Sequence, residues 1–599
     1  MIKNFLLTSL LVSGSISAFA QLSGSVNVEG EYEPLVIETE RLNFPPVSYR
    51  FDLPPVNLNY IDEGIVTDFK PGLLTMGVSG RQTSWPFIKR KGYVDARLGS
   101  YLRSRLDAGY YIVTDSVNTL LATLDFESSS LFRPSGTPAG YTQLPLKRLY
   151  DGAFGLSYDR LIGQEGLLKA SVGYCGAYFN YYGTSVPEIN LLHPLHIPTQ
   201  TLNRVRGSVS FSSSPSTISG WHAEADVNYL GYRRFYPPVV MESSSSGDRE
   251  TELKVGGGYA FGIYSSSAIT VDVAGDFLFY AKNRPEALVI TNYHRNNYGI
   301  VSLKPAYRFS KETLSVKAGL DMDFSWDAMG KSEDKKFGLF HVAPDVSLTY
   351  KSNIGLGVEL AATGGVTPAT LALREQFDRY QMPWLLSTQP VYSPVDGRLG
   401  INIGPFAGFA GSVTVRYAVA KNVPLGGWYQ IFLGSALNEK MSFPADTYTD
   451  PYAQSLDLRG LSVDLDLRYS FGSMAEVEFE GSYTPQNGRT GIFNGFDRPR
   501  WILSAKASVK PIKNLKIEAG YDYRGVRNCY YLETTDEDTL LKSYRLSDIT
   551  NLNARVTYSI LKNLDIYCQG DNLLNRKVDL LPGLKSEGIV ISGGVYFEF

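Results

Sequence analysis

The chain has 599 residues, with 57 basic against 60 acidic side chains for a net charge of −3, and carries 40 Tyr, 30 Phe and 6 Trp beside 57 Gly. Soluble domains of roughly 150 residues would divide it into about four, but a large β-barrel holds this length as one domain. A balance so near neutrality argues against a nucleic-acid partner, and only 3 Cys argue against a disulfide framework.

The first 20 residues read as a secretory signal: a basic start at Lys3, an apolar run from Phe5 to Val12, and Ala18-Phe19-Ala20 before Gln21 as a cleavage site. No Cys follows the run, so a lipid anchor is not expected. Beyond Gln21 no window of about 18 residues is both apolar and uncharged, so no membrane-spanning helix is expected. Residues 21–71 form a separate proline-rich segment. Phe44-Pro45-Pro46-Val47-Ser48 recurs nine residues later as Leu53-Pro54-Pro55-Val56-Asn57. Paired prolines fix an extended backbone and supply no N–H donor, which excludes a central strand. Pro45, Pro46, Pro54 and Pro55 are candidates for docking a partner. A periplasmic arm, a docking strip, a rod inside a lumen and a plain leader all remain open.

Residues 72–599 alternate with period 2 in segments of about ten residues or longer. In residues 314–327 one face reads Leu314, Val316, Ala318, Leu320, Met322, Phe324, Trp326 and the other Ser315, Lys317, Gly319, Asp321, Asp323, Ser325, Asp327. Residues 461–470, 475–484 and 515–524 repeat the pattern. Such a strand has one side for an apolar medium and one for water. Two features favour lipid over a soluble sandwich. The length matches a tilted strand crossing hydrocarbon, and Tyr469, Tyr483, Tyr523, Phe324 and Trp326 sit at segment ends, as an aromatic girdle would. Backbone groups in lipid must all be paired, so the sheet must close. The fold class read from the pattern is all-β: a transmembrane antiparallel β-barrel of about 22 strands in the outer membrane, with long extracellular loops and short periplasmic turns. The count depends on whether residues 412–433 form one strand or two. Residues 511–514 and 561–563 are expected turns. Residues 485–500, 525–548 and 575–587 are expected to face outward, and Thr367-Pro368 to open a short helix over residues 369–380 in an external loop.

Several motifs resemble the barrel of a TonB-dependent outer-membrane receptor. Leu373-Arg374-Glu375 through Pro383-Trp384-Leu385, followed by Gly397-Arg398-Leu399-Gly400, resembles that family's external loop leading into a glycine-marked strand. Asp571-Asn572-Leu573-Leu574-Asn575-Arg576-Lys577 resembles its penultimate-strand signature, with Val578 where the family often has Tyr. The chain finishes Val595-Tyr596-Phe597-Glu598-Phe599, and in this class a terminal aromatic is the signal that barrel-assembly machinery reads, which makes Phe599 a candidate assembly signal. The resemblance implies an N-terminal plug of more than a hundred residues. Residues 21–71, about 50 residues, are too few for one, which argues against TonB-driven import. Residues 33–40 faintly resemble the extended segment that TonB pairs with by strand addition, although an edge segment reads the same way.

Catalytic and metal constellations find little support. His193-Pro194-Leu195-His196 has its histidines beside prolines, which breaks the helical face a metal pair needs. His222, His294 and His341 are scattered, Cys175, Cys529 and Cys568 fit no zinc or redox spacing, and no G-x-S-x-G elbow is present. No enzyme activity, cofactor or metal is expected. Asp464, Asp466, Glu476, Glu478 and Glu480 fall on water-facing sides of neighbouring strands and are candidate lumen-lining residues. Such a carboxylate strip favours cations in a pore, while Arg468 and Lys506 nearby make ordinary polar lining the plainer reading. Two functions follow: a plug-less channel or uptake component for solutes, closed by its loops (residues 377–392 and 529–544 among them), or a scaffold that docks a periplasmic or lipoprotein partner.

Overall fold

The computed structural model describes residues 90–130, 148–163, 166–180, 199–213, 219–234, 247–281, 297–326, 339–377, 379, 390–421, 426–432, 440–446, 458–485, 499–534, 539–581 and 584–599. Pro45, Pro46, Pro54 and Pro55, the leader, residues 72–89 and His193, His196 and His294 lie outside them. Among the described residues, 22 strands form one sheet. Each pairs antiparallel with its neighbour, and the first, Gly92–Gly99, pairs with the last, Val590–Glu598, through Asp95↔Tyr596 and Gly99↔Ser592. The sheet is therefore closed and has no edge, the condition for backbone polar groups to survive in hydrocarbon.

The alternation read from the sequence is realised inside out relative to a soluble protein. On Leu314–Trp326, Leu320, Phe324 and Trp326 are 41–48% exposed, whereas Asp321, Asp323 and Ser325 are 5% exposed or less. Apolar side chains outside and polar side chains inside are what a lipid-bathed, water-lined cylinder demands. No helix among the described residues is long and apolar enough to cross a membrane.

At one end of the barrel the connections are tight turns, among them residues 265–266, 312–313, 407–408, 513–514 and 562–563, the last two where the sequence placed them. The same end holds both termini of the sheet. Gly92 and Phe599 exchange backbone hydrogen bonds at 3.0 and 2.9 Å, and the Phe599 ring stacks on Tyr110 with centroids 6.0 Å apart. The opposite end carries the connections 368–390, 422–457 and 525–548.

Residues 412–433 resolve into two elements. Phe409–Lys421 belongs to the barrel, whereas Gly426–Phe432 leaves it for a separate four-stranded sheet with Lys440–Asp446, Arg527–Thr534 and Thr539–Leu546. Gly426–Phe432 pairs parallel with Arg527–Thr534, so this small sheet ties the connections 422–457 and 525–548 together. Pro444 lies on its edge strand, one of the few places where a sheet tolerates proline.

The seam is closed by a tight fit at Gly594, which faces Tyr567 in register. A Cβ at Gly594 would lie 2.2 Å from the Tyr567 ring, whose hydroxyl donates to Asp95 at 2.5 Å and whose face carries the Arg555 guanidinium 3.7 Å from its centroid. Gly594→Ala is therefore expected to displace the ring and lower stability by about 1–3 kcal/mol, read as a shift in the urea midpoint of the refolded barrel. A midpoint equal to wild type would show that Tyr567 can move freely.

Candidate functional site

The five carboxylates singled out in the sequence are brought together on the inner wall. Leu458–Phe471 and Ala475–Tyr483 are antiparallel neighbours with Asp466 opposite Glu480, Arg468 opposite Glu478 and Ser470 opposite Glu476. Side chains at these positions share the face opposite the lipid-exposed Leu461, Tyr469 and Val477. Arg468 pairs with Glu476 and lies 3.6 Å from Glu478, and Lys506 of the next strand lies 3.9 Å from Glu480. Two cations thus face five carboxylates. Glu476, Glu478 and Glu480 keep roughly a third to a half of their side-chain surface open, so the strip meets water.

A second feature was not anticipated. The described helix spans Leu371–Phe377 and starts two residues later than expected, with its first turn held by a lumen-facing residue; residues 378 and 380 of the expected helix lie outside the described residues. Pro368 does not open it. Thr370 does, its Oγ1 accepting the Leu373 N–H at 3.0 Å as an N-cap. The next orphan donors of the first turn are taken by a residue far away in sequence. Glu250 accepts the Leu371 N–H at 2.6 Å and the Ala372 N–H at 3.2 Å. Leu371 and Ala372 are buried, as is Glu250.

Glu250 points into the bore from the strand Arg249–Tyr264, between Leu230 and Tyr280 on the strands either side. It belongs to an apolar ledge at this end of the barrel. Ala177 pairs with Leu202, Leu202 with Tyr232 and Leu278 with Tyr298, and all of these are buried although they face the lumen. Apolar side chains have no place on a water-lined wall unless something covers them. Beyond the helix, Arg379 reaches the strand Arg148–Ile162, pairing with Asp151 at 2.5 Å and lying 5.9 Å over the Phe179 ring, while Glu375 holds it from behind at 3.5 Å.

The arm leaves the wall where Leu356–Thr367 ends, through a β-bulge between Thr363 and Gly365. Gly365 has φ +130°, and a Cβ there would lie 2.8 Å from an Asp321 carboxylate oxygen, so this position requires glycine. The next N–H, that of Val366, donates to Asp323 at 2.6 Å. In ring order the arm starts on the thirteenth of 22 strands and lands on the eighth and the fourth. That is a chord across the bore rather than a loop along the rim. The acidic strip lies on the sixteenth and seventeenth strands around the ring, half a turn from the landing site. One side of the lumen is thus covered by the chain itself, and the opposite side presents open carboxylates.

Much of the remaining inner wall is cross-linked by charge. Arg416 binds Asp396 through two hydrogen bonds of 2.7 and 2.6 Å, and Arg398 lies 3.4 Å from the same carboxylate. Arg103 pairs with Glu127 at 3.5 Å and Glu587 at 3.8 Å, and the Ser129 hydroxyl donates to Glu587 at 3.0 Å. Lys304 pairs with Asp321 at 2.9 Å and Lys317 with Asp345 at 2.5 Å. Of the histidines, His222 lies 3.7 Å from Asp272, and among the described residues no group of three or more His, Cys, Asp or Glu is placed to hold a metal. Local sequence carried no signal for Glu250, whose partners are 121 and 122 residues away.

No family model matches the chain, and no curated protein matches it. Solved structures do. The siderophore receptor PirA from Acinetobacter baumannii is similar at 10% identity and TM-score 0.62, over 86% of this chain and 81% of that one. The FrpB iron transporter from Neisseria meningitidis is similar at 9% identity and TM-score 0.62, over 86% and 82%. A ferric enterobactin receptor from Pseudomonas aeruginosa is similar at 12% identity and TM-score 0.59, over 85% and 80%. At these identities the likeness is one of fold: a closed 22-strand antiparallel barrel resembling outer-membrane receptors and transporters. With its apolar side outward, such a barrel resides in the outer membrane of a Gram-negative bacterium.

Proposed function

We propose that the chain is a non-enzymatic channel or uptake component for solutes, a receptor-like barrel in which residues 368–379, rather than a separate plug, restrict the bore. The observation that carries this reading is the chord from Leu356–Thr367 to Glu250 and Asp151, half a turn from the acidic strip. Barrels of this strand number have a lumen wide enough to need an occupant. In this reading the tight turns and both ends of the sheet face the periplasm and the longer connections face outward. Phe599, at the seam, serves as the assembly signal, and solutes pass along Asp464, Asp466, Glu476, Glu478 and Glu480.

Planar-bilayer recording tests it. The wild-type barrel is expected to conduct and to prefer cations by roughly threefold or more. Changing the strip to Asn and Gln, as Asp464→Asn, Asp466→Asn, Glu476→Gln, Glu478→Gln and Glu480→Gln, leaves Arg468 and Lys506 and is expected to reverse the preference toward anions. Identical selectivity in both proteins would remove the strip from the pathway. A silent barrel that co-purifies with a periplasmic or lipoprotein partner through residues 21–71 would support the scaffold function instead.

A further inference from the structure

Near the tight turns, one exposed basic side chain of Arg148–Ile162 lies on the lipid-facing side of its strand. On Arg148–Ile162 the even positions point to lipid, as the 47% exposure of Phe154 and 42% of Ile162 show, and Arg160 is one of them. It is exposed, and the hydrogen bonds and ion pairs of the described residues include none to it. It sits two residues before the strand ends, toward the tight turns. At that depth a lipid-facing charge costs about 0–1 kcal/mol, against about 2–4 at the midplane. Beside it the Tyr158 hydroxyl donates to Asn118 at 2.8 Å, and two strands further on Phe211 packs on Trp221 of the next strand with centroids 4.7 Å apart, an interfacial girdle.

Immediately toward the membrane centre from Arg160, the outer face is hollowed. A groove of about 420 Å³ crosses five strands, walled by Leu120, Leu156 and Val227 and floored by the small residues Ala170, Gly207 and Ala225. In register, Tyr158 is opposite Ala170, Val172 opposite Gly207 and Val209 opposite Ala225, so the floor runs diagonally across consecutive strands. A Cβ placed on Gly207 would meet nothing within 4 Å, so the hollow is open space and not a packed furrow.

We propose that this face binds an anionic phospholipid of the leaflet on the tight-turn side. Arg160 takes the phosphate through its planar fork, the Tyr158–Asn118 pair lies at the glycerol level, and an acyl chain fills the groove above Gly207. The pairing is one of charge and depth: an unpartnered guanidinium at the interface, continuous with an apolar hollow pointing into hydrocarbon. The leaflet assignment rests on the orientation proposed above, whereas the lipid contact does not.

The mature barrel in nanodiscs of mixed phosphatidylglycerol and phosphatidylcholine, released and weighed by native mass spectrometry, tests the contact. Wild type is expected to retain phosphatidylglycerol over phosphatidylcholine by about tenfold. Arg160→Gln removes the cation and Gly207→Leu fills the hollow, and each is expected to lower that preference to near parity while the barrel keeps its folded mobility in cold SDS gels. Equal retention of the two lipids by wild type, or an undiminished preference in both variants, overturns the proposal. Orientation is read separately, by labelling Asn514→Cys in a tight turn, with native Cys175, Cys529 and Cys568 changed to Ser, using a membrane-impermeant thiol reagent on intact cells. Labelling there would sink the leaflet assignment and leave the nanodisc result standing.

Discussion

Asp396→Ala is expected to lower the stability of the folded barrel by about 3–5 kcal/mol, the cost of stranding buried charge. Asp396 is fully buried on Val391–Phe406, and its two oxygens take the Arg416 guanidinium as a fork. Arg398 and Arg416 stand directly opposite each other on neighbouring strands, so the carboxylate is the counter-ion between two like charges. Removing it leaves both repelling across the ladder and Arg416 desolvated. The double change Asp396→Ala with Arg416→Met removes the stranded charge along with its partner and is expected to recover at least half of the loss. Urea titration of the refolded barrel, followed by folded against unfolded mobility on gels, gives both numbers. A single-variant loss under about 1 kcal/mol would mean that water reaches this part of the wall and that the pair is screened.

Glu250→Ala is expected to release the arm and raise the open conductance. The carboxylate satisfies two N–H groups of the first helical turn, and in a buried setting charge-assisted hydrogen bonds are worth about 1.5–3 kcal/mol each. Losing about 3 kcal/mol of docking moves the docked-to-released ratio by about two orders of magnitude. The ledge residues and the Arg379–Asp151 pair remain, so the arm is expected to fluctuate rather than to dissociate permanently. Glu250→Gln keeps one acceptor and is expected to have a smaller effect, about 1 kcal/mol. Bilayer conductance and hydrogen exchange of the Leu371 and Ala372 amides are the paired measurements. Faster exchange with unchanged conductance would show that the arm is mobile without gating the bore. Unchanged exchange would show that Glu250 does not hold it.

These two expectations concern groups of different legibility. The acidic strip could be read from residues 461–470 and 475–484 because period-2 alternation assigns each side chain to a face, and consecutive segments of an antiparallel barrel are neighbours. Asp396, Arg398 and Arg416 obey the same alternation, yet their diagonal pairing depends on a register that alternation leaves free. Glu250 is further from reach. Nothing within its own segment distinguishes it from Glu252, and its helix lies more than a hundred residues away. The short helix itself was visible, but its start was not. Pro368 fits the first position of a helix, whereas here the bulge at Gly365 turns the chain inward and Thr370 supplies the cap.

By itself the sequence determined the architecture: side chains alternating between a medium of oil and a medium of water over strand after strand, and a closed antiparallel sheet of about 22 strands. Those properties follow from the two-residue period and from hydrogen-bond satisfaction in hydrocarbon, both local rules. Only the tertiary structure decided what crosses the bore, which lumen residues are covered and which stay wet. Those depend on where one connection lands on distant strands. That is a matter of long-range docking energy, set by the Glu250 carboxylate, the apolar ledge and Asp151, and not of any periodicity in the chain.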